Sequence, residues 1–338
     1  MMTMATISRT MMRYSRSLDA PRNARFFSSN PKNTRLAGRR RFYKQVGVVT
    51  VPPPWDEVET QTDVMESPIS PGVDGSFSAS GVTNNRLTQE VRKKHLQPTT
   101  NHLDHQNWYG ITLDGRVVST PLGTPLAVPS LHLAWMIAAE WDAQETFLKP
   151  AQMPLMTLTC TAIDQTANAM PVYQQQALSY LHTDTLCFWV DPMEERGLYR
   201  KQQKAWEKIH SICEELLGDK PAMVIGTTDS LWLVRKGGLP HSVVLQQQAK
   251  ELVHSLNAWE LTALASITSN CKSLLLGLAM VHSDILTPAQ ASEASRLEEE
   301  FNIDNWGLVE GGHDYDRLNS SIQLHAAEIL IQSTREAV

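Results

Sequence analysis

The segment 295–307, with the sequence SRLEEEFNIDNWG, combines the pattern of a core-facing helix with three consecutive acids. At about 100° per residue, Ala294, Leu297 and Phe301 share one side of a helix, which predicts that this side packs inward. Gly307 stands where a left-handed C-terminal cap is expected. The segment therefore predicts a long helix near the C-terminus, with charged residues on its other sides.

The charged residues of this helix have a simple interpretation on sequence alone. Arg296 and Glu299 are three residues apart and can pair within the helix. Such charges usually form a solvated face with one weak ion pair. Trp306 follows at the end of the helix, and a tryptophan in this position is more often a core residue than an interface residue.

The rest of the segment 130–334 is also predicted to be mostly helical. Apolar residues recur at spacings of three and four. The residues expected to begin its helices, as N-caps or first-turn prolines, are Ser130, Pro154, Pro171, Pro240, Asn257 and Thr287. Two short strands, at 186–190 and 222–225, are predicted among the helices.

The segment 38–129 predicts a small, mainly antiparallel β domain. Strand-forming residues occupy 41–51 and 108–113, and Asp114-Gly115 is a hairpin turn that leads to a return strand at 116–119. The intervening residues 52–106 are rich in Pro, Ser, Thr, Asn and Gly, which predicts a disordered insertion, within which 87–96 can form a short helix. The predicted fold class is α+β, with this N-terminal β domain followed by a larger, mostly helical C-terminal domain.

The composition excludes several classes of protein. The net charge of −6 argues against a nucleic-acid binder, and no apolar run approaches the ~18 residues of a membrane span. The four cysteines lack the spacing of a metal site and suit a reducing compartment. We expect no cofactor, because Gly237-Gly238 lacks the other residues of a phosphate loop. We also expect no metal, because His102-Leu-Asp104-His105 lacks a second pair of ligands.

Several short motifs along the chain occur together with the segment 295–307. They are Arg39-Arg40-Arg41-Phe42-Tyr43, Leu113-Asp114-Gly115-Arg116, Glu140-Trp141-Asp142, Asp184-Thr185, Asn257-Ala258-Trp259 and Lys272-Ser273-Leu274. In order and approximate spacing they resemble the assembly factor 2 family, chaperones that hold the α subunit of the mitochondrial ATP synthase catalytic head. The resemblance extends from Arg39 to about Leu324.

The resemblance implies a mitochondrial matrix chaperone without enzymatic activity. Its implied partner is the unassembled α subunit, which it would hold until the catalytic head assembles, and we expect it to act as a monomer. Family members carry an acid at the position of Glu299, in an element that the resemblance implies is needed for function. The residues expected to contact the partner are Arg296, Glu299, Glu300, Trp306, His313 and Asp314.

A hydrolase or ligand-binding enzyme is the alternative function. His313-Asp314 has the form of a catalytic histidine–acid pair. No nucleophile is marked by a Gly-x-Ser-x-Gly turn. A hydroxyl or thiol within hydrogen-bonding distance of the imidazole would favour this alternative.

The N-terminal residues 1–27 predict a mitochondrial transit peptide. They contain five arginines and one acid, and Arg25-Phe26-Phe27-Ser28 resembles a matrix-peptidase site. Removal of 1–27 changes the net charge from −6 to −10. We expect the mature protein to begin at or near Ser28, and N-terminal sequencing of the endogenous protein measures this directly. Retention of Met1 would contradict the prediction.

Overall fold

The computed structural model describes residues 38–55, 81–98, 107–226, 237–308 and 311–335, and it describes side chains from residue 89 onward within the second range. The predicted transit peptide at 1–27 lies outside these residues. So do the histidines at 102 and 105 and most of the predicted insertion, at 56–80 and 99–106.

Three antiparallel strands form the N-terminal sheet in the order β1 (Val46–Val51), β2 (Trp108–Leu113), β3 (Arg116–Val117). Asp114 and Gly115 form the predicted turn, with φ values of 49° and 82° in the left-handed region that such hairpins need. The first strand is shorter than predicted. The Asp114 carboxylate accepts hydrogen bonds from the backbone N–H groups of Lys44 and Gln45, and the Asp114 N–H donates to the Gln45 carbonyl at 2.9 Å, so the turn residue holds this part of the chain where the strand ladder has ended.

Ten helices of the described chain surround and extend this sheet. They are α1 (Gly81–Leu96), α2 (Leu131–Asp142), α3 (Pro154–Asp164), α4 (Met170–Ser179), α5 (Arg196–Leu217), α6 (Val243–Ser255), α7 (Ala258–Cys271), α8 (Leu274–His282), α9 (Pro288–Trp306) and α10 (His313–Arg335). A two-stranded parallel pair, β4 (Phe188–Trp189) and β5 (Val224–Ile225), lies among them. The α+β fold class is therefore confirmed.

The helix starts follow the capping signals. Ser130 accepts from the N–H of Leu133 at the start of α2, and Asn257 and Thr287 each form a capping box with the side chain three residues later. Ser242, rather than Pro240, caps α6. Local hydrogen bonding by short polar side chains explains why these starts are visible in the sequence.

One hydrophobic core crosses the boundary predicted between the two domains. The Tyr43 hydroxyl donates to the carbonyl of Trp141 at 2.6 Å, and the two rings meet edge to face at 5.6 Å. Both residues belong to the same cluster of buried side chains. The division into two domains at residue 130 therefore stays a prediction. In the described structure the β sheet and the helices contribute to the same core.

The centre of the core is the pair α7 and α8. Every residue of α8 from Leu274 to Val281 is buried. Gly277 permits the close approach of the two helices, because an added Cβ would stand 2.6 Å from Thr268 Oγ1 and 2.7 Å from Leu264 Cδ1. A larger residue there would force the helices apart.

The end of the predicted insertion is ordered and packs into the core. Helix α1 buries Leu96 completely, and the Trp259 indole N–H donates to the Leu96 carbonyl at 2.8 Å. His95 Nδ1 bonds the Ala167 carbonyl at 2.8 Å. The short helix predicted at 87–96 is therefore present and begins earlier, at Gly81, and Leu96 contributes its apolar side chain to a core built mostly from distant residues.

We expect residues 56–80 to be dispensable for folding and α1 to be required. Replacing 56–80 with a ten-residue Gly-Ser linker should leave the melting temperature nearly unchanged, because β1 and α1 are retained. Leu96→Ala in the same background should lower the free energy of unfolding by about 2–5 kcal/mol, since it removes a fully buried side chain. Thermal and denaturant unfolding measure both effects. Loss of cooperative unfolding in the linker variant would show that 56–80 is structural.

Candidate partner-binding site

The predicted site residues lie along α9 and at the start of α10. Helix α9 buries Ala294 and Leu297, as the spacing predicted. Phe301 is only half-buried, and the ammonium of Lys201 from α5 lies 5.3 Å from its ring. The inward face of α9 is thus apolar through its first three turns and becomes partly solvated near its end.

Arg296 connects α9 to α10. Its Nη2 donates to Glu299 Oε1 at 2.7 Å, which forms the predicted pair, and to the His313 carbonyl at 3.4 Å. The Arg296 side chain is only 10% exposed, whereas that of Glu299 is 35% exposed. A largely buried guanidinium needs a carboxylate partner, so the pair contributes more than an ordinary surface ion pair.

Glu300 makes the second connection between the two helices. Its carboxylate receives two hydrogen bonds from Arg317 of α10, with Nε donating to Oε1 at 3.0 Å and Nη2 donating to Oε2. Arg296 Nε lies 3.6 Å from the same Oε1. We call Arg296, Glu299, Glu300 and Arg317 the α9–α10 charge cluster.

Glu298, the first of the three consecutive acids, points in another direction. Its carboxylate accepts from Gln202 Nε2 of α5 at 2.9 Å, and Gln202 Oε1 accepts from the Val190 N–H at 3.0 Å. Loss of hydration around the carboxyl group, which lies against α5, raises its pKa. Glu298 therefore links α9 to α5.

Trp306 is 83% exposed at the end of α9. The core position that its residue type favours is not observed, because the chain leaves the packed surface at this turn, and the exposed ring is compatible with the expected contact to a partner. Gly307 follows with φ 89° and ψ 162° and donates to the Ile303 carbonyl at 2.8 Å. This backbone conformation is outside the left-handed helical region that we predicted, but it equally requires glycine.

His313 and Asp314 begin α10, where His313 is half-buried and Asp314 is exposed. Glu310, which the sequence places beside them, lies outside the described residues. The four described cysteines belong to α3, α5, α7 and the turn before β4, and burial raises the pKa of each thiol. These thiols are therefore poor nucleophiles, and the observed role of the His313 carbonyl is to bind Arg296.

Exposed apolar residues of α10 complete the site. The sequence analysis did not predict them as site residues. Tyr315 and Leu318 are both exposed, and Ile322 continues the same side of the helix. Their spacing of three and four was a detectable signal. Trp306 and Leu308 are exposed as well. In sequence, these five apolar residues lie close to the members of the α9–α10 charge cluster.

Two other properties concern the described part of the chain. No helix in it is long and apolar enough to span a bilayer. Within the same residues, no group of three or more His, Cys, Asp or Glu side chains is arranged to hold a metal ion.

Comparisons with known proteins converge on one family. Residues 91–214 match the family model of the ATP12 chaperone protein. The mitochondrial protein atp12 of Schizosaccharomyces pombe is 27% identical over 229 residues, which cover 65% of this chain and 76% of the relative. The mitochondrial protein ATP12 of Saccharomyces cerevisiae is 26% identical over 276 residues, covering 72% and 85%.

Solved structures agree with these sequence matches. The crystal structure of Atp12 from Paracoccus denitrificans aligns with a TM-score of 0.59 and 26% identity, over 67% of this chain and 92% of that chain. The Atu1473 protein of Agrobacterium tumefaciens, at 24% identity and a TM-score of 0.60, has the same fold.

The matched segment and the fold are both similar to those of chaperone proteins. More particularly, residues 91–214 match the ATP12 chaperone family model and the chain is similar to two mitochondrial ATP12 proteins, in agreement with the resemblance. Both curated relatives are named mitochondrial, and this supports a mitochondrial location for the chain. The family model ends before α9 begins, so the assignment of the site rests on the geometry of α9 and α10.

We expect Glu299→Lys to lower the stability measurably. The weak, solvated ion pair expected from the sequence implies a cost well under ~1 kcal/mol, but the pairing with a largely buried Arg296 raises this to about 1–2 kcal/mol. Glu299→Gln, which keeps an acceptor, should cost less. Glu293→Lys, at an exposed position of the same helix, should change the free energy of unfolding by less than about 0.5 kcal/mol. Equal melting temperatures for Glu299→Lys and Glu293→Lys would contradict the structural role of the pair.

Proposed function

We propose that this protein is an assembly chaperone of the mitochondrial ATP synthase. It acts in the matrix as a monomer, binds the unassembled α subunit of the catalytic head and releases it when the β subunit binds. The observation that carries the proposal is the apolar surface exposed at the end of α9 and the start of α10 in a chain similar to ATP12 chaperones, above all Trp306 and Leu318.

Apolar surface is what a holding chaperone requires. A subunit that waits for its partner exposes an interface that would otherwise self-associate. Trp306 presents a large ring to solvent, and Tyr315 and Leu318 extend along α10. Aromatic side chains contribute much of the binding energy in protein interfaces. Such contacts need no chemical step, so the proposed activity is binding rather than catalysis.

The α9–α10 charge cluster would give this binding its selectivity. Arg296 engages Glu299 Oε1, and the Glu299 side chain remains about one third exposed. A cation or N–H donor of the partner can therefore approach the carboxylate. Charges at the edge of an interface favour the correct partner and accelerate association more than they increase affinity.

The direct test is whether the mature protein, beginning at Ser28, keeps the α subunit in solution. Purified α subunit is diluted from denaturant with or without the protein, and light scattering records aggregation. We expect stoichiometric protection, recovery of a one-to-one complex by size exclusion, and displacement of the chaperone when β subunit is added. Aggregation that the protein does not suppress would contradict the proposed function.

Glu299→Lys tests the site within that assay. At a temperature well below its melting transition, we expect the variant to protect the α subunit at least about tenfold less well than Glu293→Lys, because it places a cation where the partner requires an acceptor. Both variants reverse one acidic charge of α9. Equal protection by the two would remove Glu299 from the binding site while leaving the chaperone function in place.

A further inference from the structure

Helix α10 has two apolar faces: its neighbours cover the first, whereas on the second Ile329 packs partly against the core and Tyr315 and Leu318 remain exposed. The buried face, which includes Leu324, Ala327 and Ile331, packs mainly against α7. A second stripe follows the heptad-like spacing of three and four residues, and we call it the α10 stripe: Tyr315, Leu318, Ile322, His325 and Ile329. Its first two residues are 64% and 62% exposed, and Ile322 is 36% exposed. This spacing is the one by which a helix packs along another helix.

The C-terminal half of the stripe borders an open depression. Ile322, His325 and Ile329 form one side, and Leu155 from the start of α3 and Glu140 from α2 form the other. The Glu140 carboxylate accepts from the N–H groups of Leu155 and Met156, each at 2.8 Å. The depression is therefore mostly apolar. It contains one carboxyl group, that of Glu140, which accepts hydrogen bonds from two backbone N–H groups.

The charges around the α10 stripe are acidic. Arg317 is the only lysine or arginine between His313 and Thr334, and it is bound to Glu300 of α9. Asp314 and Glu328 each lie one residue before a stripe position, and therefore flank it. Glu140 adds a third carboxyl group from the opposite side; burial raises its pKa to about 7, so a cation of a partner would also stabilise its ionised form. A partner of complementary charge would bring basic side chains to this surface.

We propose that the α10 stripe and the adjoining depression bind an amphipathic helix of the client α subunit, with a lysine or arginine of that helix directed at Glu140. This inference rests on the proposed function and adds to it the contact surface and the kind of segment that is recognised. Recognition of an amphipathic helix by an apolar groove uses residues spaced by three and four on both partners.

A second copy of this chain fits the same surface poorly. A symmetric pairing of two α10 stripes would bring Asp314, Glu328 and Glu140 of one molecule towards the same acids of the other. Like charges at an interface oppose association. The charge pattern therefore favours a basic client segment over self-association.

Photo-crosslinking locates the contact in the complete complex. Benzoylphenylalanine is placed at Ile322, at Leu318 and, as a control, at the exposed Val243 of α6 in the mature protein bound to the α subunit. We expect crosslinks from the two α10 positions to one client peptide with apolar residues at helical spacing and at least one Lys or Arg. Crosslinks to a second chaperone copy, or to the α subunit from Val243 alone, would overturn the proposal.

Opposite charges at one exposed position test the expected polarity of the partner. Leu318 is 62% exposed, so Leu318→Lys and Leu318→Glu should both fold normally. Because the predicted partner helix is basic, Leu318→Lys should weaken binding of the α subunit by roughly tenfold or more, and by clearly more than Leu318→Glu. Val243→Lys should bind like the wild type. A larger loss for Leu318→Glu than for Leu318→Lys would overturn the assignment of a basic partner.

Glu140→Gln completes the test at the carboxylate itself. This change keeps one of the two acceptors for the N–H groups at the start of α3, and its melting temperature reports what the loss of the other costs. We expect weaker binding of the α subunit by roughly fivefold to tenfold in a variant that remains folded at the assay temperature. Unchanged affinity would overturn the role of Glu140. If the wild-type protein fails to bind the α subunit, the proposed function is contradicted. If the wild type binds and only Leu318→Lys and Glu140→Gln lose affinity, both the proposed function and the proposed contact surface are supported.

Discussion

The fully buried carboxylate of Asp184 accepts a hydrogen bond from a backbone N–H group at the start of α8, the helix at the centre of the described core. Helix α8 is surrounded by protein, so water cannot reach the N–H groups of its first turn. Asp184 accepts from the N–H of Leu275 at 2.9 Å and from that of Leu186 at 3.1 Å. Burial raises the pKa of Asp184 to about 6, and the hydrogen bonds that it accepts oppose this shift. The carboxylate is therefore mostly ionised at neutral pH, and one residue joins α8 to the turn before β4.

The proposed binding surface depends on this centre through α7 and α10. Glu260 of α7 is buried, and its carboxylate accepts from Arg335 Nε at 2.8 Å, which fixes the C-terminal end of α10. The other end of α10 is held by the bond from Arg317 to Glu300. With both ends attached and one face packed on α7, α10 presents its stripe on a rigid helix. A rigid surface loses less conformational entropy on binding than a flexible one.

The features that could be predicted from the sequence are those determined by neighbouring residues. The cap at Asn257, the turn at Asp114-Gly115 and the pair Arg296–Glu299 are all contacts between residues at most three positions apart. The features that were missed depend on distant residues. The helix at 87–96 was expected, but the burial of Leu96 was not, because it depends on Trp259, which is 163 positions away. The residue type of Trp306 favoured the core, and its exposure follows because nothing in the described structure folds over the end of α9. Composition and residue type carry no information about such long-range contacts.

The three consecutive acids of α9 show how adjacent charges acquire different roles. Successive helical residues are rotated by about 100°, so three in a row face three directions. Glu298 meets α5, Glu299 holds Arg296, and Glu300 binds Arg317 of α10. These carboxylates already have partners within the protein, and those of Glu299 and Glu300 are about one third exposed, so an additional charged contact would add little affinity. In the proposed complex, most of the binding free energy would therefore come from Trp306 and the α10 stripe. The acids would then serve to hold the helices in place and to exclude partners of the wrong charge.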